Sequence, residues 1–198
     1  ILDYDVHFGN GTSDIYYSDS SVLYISLHQD PRTLYPGTGF VEQVGEGEGE
    51  GYNVCVPLPP GTGDETYLMA LREVFVPLAL EFKPDVILGN GGSDSHFADM
   101  LGSLGLTVKG FFELSRTVVG VAEKVCGGKM VLMVGSGYNP VVLPACWYAL
   151  TAGVVGLEKI GVGDPYAPPV EPEWCRRTVT DTLTELKQIL KKYWRCFR

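Results

Sequence analysis

This sequence has no long hydrophobic run, no paired-cysteine motif and very little histidine. A membrane-spanning helix needs about 20 consecutive apolar residues, and no run reaches that length, so we expect no membrane partner. The five cysteines lack the C-x-x-C spacing of common zinc-finger motifs. No signal-like segment opens the chain, so we expect reduced thiols and a cytoplasmic location.

Basic residues are also fewer than acidic ones. The chain has 15 lysines and arginines and 24 aspartates and glutamates, which gives a formal net charge of −9. A surface of this sign repels nucleic-acid phosphates, so we expect no direct nucleic-acid binding. The same surface attracts cations, and a polyamine or a lysine-rich tail would benefit from that attraction.

The rest of the composition is typical of a folded α/β domain. The chain has 198 residues, 45% of them hydrophobic, which is enough for one sizeable core. Apolar strand-like segments alternate with segments of helical periodicity, a rhythm typical of a parallel sheet flanked by helices. We therefore predict one domain over residues 1–198, with a last helix within residues 176–198 that docks on the sheet.

The first predicted strand carries residues that suggest chemistry. It contains Asp3, Asp5 and His7, and Gly9 follows it. Because side chains alternate between the two faces of a strand, the two aspartates and the histidine should share one face. Two carboxylates and an imidazole at the carboxyl end of a buried strand form half of a cage for a divalent cation.

Two later strands also end in candidate functional residues. Asp94 follows the fourth predicted strand, and ligands of open α/β sheets bind at the carboxyl ends of strands, so Asp94 should complete the set. Three protein ligands and an open position are typical of catalytic zinc, although Fe²⁺ also accepts carboxylates and imidazole. Tyr138 follows the fifth strand after a Gly-Ser-Gly turn, where its phenol could donate a hydrogen bond to an anionic transition state.

Six motifs occur in an order that resembles one known superfamily. They are D-x-D-x-H-x-G-N-G-T at residues 3–12, Y-I-S-L-H at 24–28, P-G-T-G at 36–39, G-Y-N-V with V-P-L-P-P-G at 51–61, G-S-D-S-H at 92–96 and G-S-G-Y at 135–138. In these motifs the chain is similar to the histone deacetylase and acetylpolyamine amidohydrolase superfamily, and more to its class II-type or prokaryotic members.

This resemblance implies an arginase/deacetylase-like fold, in which a parallel sheet lies between two layers of helices. It also implies a zinc-dependent amide hydrolase that removes acetyl groups from acetyl-lysine, acetylated polyamines or small amines by metal-activated water. Asp5, His7 and Asp94 match the metal ligands of the superfamily. Tyr138 matches the tyrosine that contacts the substrate and stabilises the transition state.

Further residues take roles only through the resemblance. Asp3 matches an acid that orients a catalytic histidine. Tyr35 matches an aromatic wall of the substrate channel. The residues that match a structural potassium site are Asp3, Asp5, His7, Ser26 and Leu27.

The resemblance also reveals a gap. Superfamily members carry an adjacent pair of acid/base histidines upstream of the metal motif, whereas the histidines here are His7, His28 and His96. We predict that His28 is structural and that His96, two residues beyond Asp94, lies at the rim of the site. We therefore expect a domain that is incomplete at its N-terminus, its missing segment being truncated, lost or on another chain.

Two other functions stay open. A non-catalytic metal-binding subunit or fragment would keep the metal ligands and lack the histidine pair. An arginase-type ureohydrolase has a related fold but needs more aspartates, for two manganese ions, than the D-x-D-x-H motif supplies. The resemblance also admits a homo-oligomer.

Overall fold

The computed structural model describes residues 1–198 and contains one sheet of five strands. The strands are β1 (Leu2–Asp3), β2 (Tyr24–Gln29), β3 (Asn53–Leu58), β4 (Ile87–Gly91) and β5 (Met130–Val134). They lie in the order β3-β2-β1-β4-β5, and every neighbouring pair is parallel. The predicted parallel sheet is confirmed.

Five α-helices connect and flank the strands, and two short 3₁₀ turns lie at Gly47–Gly49 and Arg195–Phe197. The helices are α1 (Asn10–Tyr16), α2 (Asp64–Phe82), α3 (Val108–Cys126), α4 (Leu143–Val154) and α5 (Glu173–Leu190). None of them combines the length and apolar character needed to cross a membrane.

Local sequence explains where the longest helix pair begins and ends. The Thr107 hydroxyl accepts the Gly110 N–H at 3.1 Å and caps α3, and Gly127 ends that helix in the left-handed conformation. Asp64 at the start of α2 accepts both the backbone N–H and the hydroxyl of Thr107. The two helix starts are therefore tied together on one face of the sheet.

The strand order places a topological switch between β1 and β4. The chain moves outward from β1 to β2 and β3, and then crosses back over the sheet through α2 to β4. Right-handed crossovers put α1 and α2 on opposite faces. Loops diverge at such a switch and leave a crevice at the carboxyl ends of the strands, which is where open α/β sheets bind ligands.

One main cluster of 39 buried hydrophobic residues fills the space between the sheet and the helices. Helix α5 joins this cluster through Val179, Leu183, Leu186 and Leu190, and it packs against α2 and β3. Trp194 follows α5, is buried and donates its indole N–H to the Gly51 carbonyl at 2.7 Å. The last helix thus docks on the sheet, and it begins a few residues earlier than its periodicity predicts.

The outer edge of β5 is the most exposed part of the sheet. Val131 and Met133 are about half exposed, whereas every residue of β2 is buried. Burial on both faces is typical of parallel strands, and apolar side chains of this size usually face a neighbour. One face of β5 is therefore exposed and apolar, and the outer edge of this strand has no partner strand.

His28 on β2 is fully buried and has a structural environment, as predicted. Its Nε2 lies 2.9 Å from the Gly39 carbonyl oxygen, its Nδ1 lies 2.9 Å from the Ser26 hydroxyl, and its ring packs on Phe8. A carbonyl only accepts, so Nε2 carries the proton of the neutral ring and Nδ1 accepts from Ser26. Burial lowers the pKa of His28 to about 4.

This lowered pKa predicts an acid-sensitive fold. An unfolded histidine has a pKa of about 6.5, so below that pH the unfolded state binds a proton that native His28 does not take up until about pH 4. Acidification from pH 6.5 to 4 should therefore destabilise the protein through this group by up to about 1.4 kcal/mol per pH unit.

The check is urea unfolding at several pH values in the wild type and in His28→Gln. The variant should be less stable at pH 7, because it loses the buried hydrogen bonds, but its stability should fall less steeply between pH 6.5 and 4. Equal slopes in the two proteins would contradict the assignment.

Candidate metal centre

Three side chains meet at the topological switch. Possible ligand atoms of Asp5, His7 and Asp94 all lie within 4.8 Å of one another. Nδ1 of His7 is 3.0 Å from Oδ1 of Asp5 and 3.6 Å from Oδ2 of Asp94. The first two residues follow β1 and the third follows β4, so the crossover brings together residues that are almost 90 positions apart.

Backbone turns, and not a regular strand, orient these groups. β1 ends at Asp3, although the pattern predicts a strand that continues to His7; that prediction is wrong. The Asp5 N–H bonds to Oδ1 of Asp3 at 3.2 Å, and the His7 N–H bonds to Oδ1 of Asp5 at 2.7 Å. The Val6 N–H donates to Oδ1 of Asp94 at 3.1 Å and joins the two segments.

The electrostatics of the cluster favour a cation. Burial raises the pKa of Asp94, whose Oδ2 has no hydrogen-bond partner. Burial also opposes ionisation of Asp5, but hydrogen bonds from the His7 side chain and backbone outweigh it and lower the pKa of Asp5. The hydrogen bond to Asp5, and then the nearby carboxylate of Asp94, raise the pKa of His7 to about 9. The two carboxylates thus hold a positive charge between them, and a divalent ion fits the same donor set.

Asp3 lies beside this cluster in a more deeply buried position. Desolvation raises the pKa of its carboxyl to about 6, although hydrogen bonds from Asn90 and Tyr24 act in the opposite direction. The Tyr24 hydroxyl donates to Oδ2 of Asp3 at 3.0 Å. No cationic side chain forms a salt bridge with this carboxyl.

Ser26 and Leu27 face the same buried region from the neighbouring strand. Asp3 pairs with Ser26 in the parallel ladder between β1 and β2. The Ser26 hydroxyl donates its proton to His28, which leaves its oxygen lone pairs available. The Leu27 carbonyl accepts a long hydrogen bond of 3.3 Å from the Tyr67 hydroxyl. Oxygen donors without a cationic neighbour are therefore concentrated next to Asp3.

Tyr138 reaches the same edge of the sheet from β5. The preceding Gly137 has φ +132° and has no room for a Cβ, which would lie 2.0 Å from the Ser93 hydroxyl oxygen. Burial, and then the negative charge of Asp94 and Asp5, raises the pKa of Tyr138 above its usual value of 10. Its phenol is therefore protonated at neutral pH and can donate a hydrogen bond.

The remaining sequence candidates do not join the cluster. Tyr35 is 73% exposed on the loop after β2, and its role stays a prediction. His96 is completely buried, with Nε2 2.7 Å from Asp164 and Nδ1 accepting the Ala98 N–H at 3.0 Å. The prediction that His96 lies at the rim of the site is wrong, because both ring nitrogens are engaged in the interior.

Comparisons with known proteins agree with this geometry. The family profile described as "Histone deacetylase domain" matches residues 1–154. The chain belongs to the histone deacetylase family. A "Probable deacetylase" of Archaeoglobus fulgidus is 42% identical over 204 residues, which cover all of this chain and 56% of that protein. The acetoin utilization protein AcuC of Bacillus subtilis is 34% identical over 87% of this chain and 43% of its own length.

Solved structures of histone deacetylases share the fold. The structure of the histone deacetylase Clr3 superimposes with a TM-score of 0.84 and 31% identity, over the whole chain and 32% of its own length. The HD domain of HDA15 gives a TM-score of 0.82 at 32% identity, over 99% of this chain and 51% of its own. The arginase/deacetylase-like fold is thus confirmed, and the chain spans about half, or less, of the relatives it matches.

Sequence reasoning missed the packing that brings the loops after β4 and β5 together in this histone deacetylase fold. The Ser93 N–H donates to the Ser136 carbonyl at 2.9 Å, and the Trp147 indole N–H donates to the same oxygen at 3.2 Å. A Cβ on Gly92 would lie 2.0 Å from that oxygen. The Gly-Gly-Ser and Gly-Ser-Gly stretches, with a small residue at each close approach, were the only sequence signal.

Gly9 offers a matched test of how tightly the site is packed. An added Cβ would lie 2.4 Å from both Oδ2 of Asp3 and the Tyr24 hydroxyl, whereas a Cβ on Gly11 meets nothing within 4 Å. Gly9→Ala should therefore destabilise the protein by about 1–3 kcal/mol. Gly11→Ala, within α1, should be neutral or stabilising by up to about 1 kcal/mol.

Chemical denaturation of the two variants and the wild type measures both effects. If Gly9→Ala proves as stable as Gly11→Ala, the close approach of Gly9 to the Asp3–Tyr24 hydrogen bond is not present in solution.

Proposed function

We propose that this chain carries the metal-binding part of a deacetylase that hydrolyses the amide bond of an acetylated amine. The substrate class is acetyl-lysine, an acetylated polyamine or another small acetylated amine. The observation that supports this most directly is the convergence of Asp5, His7 and Asp94 at the sheet's switch point, where Oδ2 of Asp94 is buried, accepts no hydrogen bond and lies 3.6 Å from Nδ1 of His7. The names of the relatives, which include several deacetylases, support the same reaction class.

Asp5, His7 and Asp94 would hold the metal, either Zn²⁺ or Fe²⁺. Such an ion, when bound, polarises an amide carbonyl and lowers the pKa of water. The ligands supply two carboxylate groups and one imidazole nitrogen, a set with room for further ligands. Asp94 is held for this task by the Val6 N–H, which donates to Oδ1 and leaves Oδ2 without a hydrogen bond.

Tyr138 would act on the substrate itself. Amide hydrolysis places negative charge on the carbonyl oxygen in the transition state, and a protonated phenol can donate a hydrogen bond to it. The raised pKa of Tyr138 keeps that proton in place at neutral pH. Tyr35, exposed on its loop, would form part of the wall along which the substrate enters.

A potassium ion beside Asp3 would have a structural role. Asp3, Ser26 and Leu27 offer oxygen atoms in a region where the Asp3 carboxyl has no salt bridge to a cationic side chain, and Asp5 and His7 lie in the adjoining turn. A monovalent cation there would offset the buried negative charge. Asp3 would also fix the turn that presents Asp5, because its Oδ1 accepts the Asp5 N–H.

The acid/base histidine pair would come from polypeptide outside residues 1–198, either on the same protein or on another chain. All three histidines here are engaged: His7 with Asp5, His28 with Gly39 and His96 with Asp164. The exposed β5 edge is a suitable surface for such a segment, since its carboxyl end leads directly to Tyr138. Five free cysteines suit a reducing cytoplasm.

A non-catalytic metal-binding subunit is the second candidate, and the same engaged histidines favour it. Metal binding alone does not distinguish the two candidates, because both bind the ion. Catalytic turnover that depends on both the metal and Tyr138 does, because only the hydrolase has it.

Metal content and Asp94 give the first test. The native protein should bind about one divalent ion at the cluster, and Asp94→Asn should weaken its affinity at least tenfold, because a buried ligand charge is lost. Asp64→Asn is the matched control, since Asp64 is a partly buried aspartate that bonds only to Thr107 and lies outside the cluster. Calorimetric zinc titration and elemental analysis measure this. Equal zinc affinity in both variants would remove Asp94 from the ligand set.

Tyr138→Phe gives the test of catalysis. The substitution keeps the ring and removes the donor, so kcat for acetyl-lysine or acetylpolyamine hydrolysis should fall about 10²–10³-fold. KM and zinc affinity should change little. If the metal-loaded protein, assayed together with the polypeptide that carries the histidine pair, hydrolyses none of these substrates, the result would instead favour the non-catalytic subunit.

A further inference from the structure

We infer that Asp99 is the positioning residue that sets Tyr138 relative to the metal ligands. Asp99 lies five residues beyond Asp94 and is 9% exposed. No motif drew attention to it, and it does not belong to the metal cluster. The expected effect of Asp99 on kcat rests on the proposed function, whereas its effect on the position of Tyr138 rests on contacts within the chain.

The Asp99 carboxylate accepts hydrogen bonds from the backbone of Tyr138 and of the residue after it. Its Oδ2 accepts the N–H of Tyr138 at 2.7 Å and the N–H of Asn139 at 3.2 Å. Its Oδ1 accepts the N–H of Leu101 at 3.0 Å, within its own segment. One oxygen therefore holds the tyrosine loop, while the other fixes the direction of the carboxylate.

Asn139 completes the link from the opposite side. Its side-chain amide donates to the Ala98 carbonyl at 2.6 Å, and its amide oxygen accepts the Val141 N–H at 3.0 Å. Three hydrogen bonds thus join residues 98 and 99 to residues 138 and 139. Two of these three end on the carboxylate of Asp99.

The Tyr138 side chain itself is not held in place by a hydrogen bond: its hydroxyl makes none within the chain, and the side chain is 45% exposed. The preceding loop is held at Ser136, whose carbonyl accepts the Ser93 N–H and the Trp147 indole N–H, so the contacts of Asp99 are the ones made at Tyr138 itself. Its position is therefore determined through the backbone. By contrast, the Asp99 segment is braced internally, since the Asp99 N–H donates to the His96 carbonyl and the Phe97 N–H to the Leu106 carbonyl.

This arrangement links the position of Tyr138, which follows β5, to that of Asp94, which follows β4. Asp94 and Asp99 belong to one braced loop, and Asp99 fixes Tyr138, so the distance from the phenol to the metal ligands depends on this carboxylate. A shift of about 1 Å in a catalytic group can cost about 100-fold in rate. Asp99→Ala should therefore lower kcat about 10–100-fold, with KM and zinc affinity within about twofold of wild type. Asp99→Asn retains one acceptor oxygen and should recover part of the loss.

A double-mutant cycle in the native protein distinguishes positioning from general stability. If Asp99 acts through Tyr138, Asp99→Ala has almost no further effect on kcat once Tyr138→Phe has removed the phenol. If Asp99 only supports the fold, the two losses multiply. The matched control is Asp64→Ala, which breaks a comparable tether to Thr107 and should lower the melting temperature while leaving kcat unchanged.

Amide hydrogen exchange supplies a readout that does not depend on activity. In Asp99→Ala, exchange in residues 135–142 should accelerate at least tenfold, whereas in Asp64→Ala the acceleration should appear near residues 107–110. Multiplicative losses in kcat, or unchanged exchange in residues 135–142, would overturn the inference. An inactive wild-type protein would refute the proposed function alone, and the exchange of residues 135–142 would then decide the role of Asp99.

Discussion

Buried negative charge at the carboxyl edge of the sheet is the constraint on which the rest of the site depends. Asp3 and Asp94 are completely buried, Asp5 lies between them in the chain, and the only cationic side chain in contact with the cluster is His7. Carboxylates in such surroundings either take up protons or pair with cations. Metal binding would therefore contribute to folding as well as to chemistry, because the same ions neutralise the interior.

Much of this site can be predicted from sequence, although for a partly incorrect reason. Asp5, His7 and Asp94 stand out because each follows an apolar segment that ends at the same edge of a parallel sheet. Strand alternation does not explain their convergence, since β1 stops at Asp3 and side-chain-to-backbone turns carry the chain onward. Residue type and topology predict the cluster, whereas the sequence pattern does not predict the local backbone conformation.

Contacts over long sequence separations mark the limit of the prediction. Asp99 meets Tyr138 across 39 positions, and His96 meets Asp164 across 68. No sequence periodicity predicts such pairs, because the contacts depend on how the loops pack against one another once the strands are paired. His96 shows the consequence: its closeness in sequence to Asp94 suggested a site at the rim, and a carboxylate from a distant loop holds the ring in the interior instead.

Under the proposed function, the groups of this chain would form only part of a reaction centre. The chain supplies the candidate metal ligands and an electrophilic phenol, whose pKa is raised and which therefore stays protonated. It supplies no histidine without a protein contact, since every histidine ring already has a protein partner. β5 ends four residues before Tyr138, its outer edge has no partner strand, and it exposes Val131 and Met133 on one face. A strand that paired with this edge in parallel would end beside Tyr138, so the contact that extends the sheet would bring new side chains to the metal centre. The segment that extends the sheet would then also supply the side chains that the site lacks.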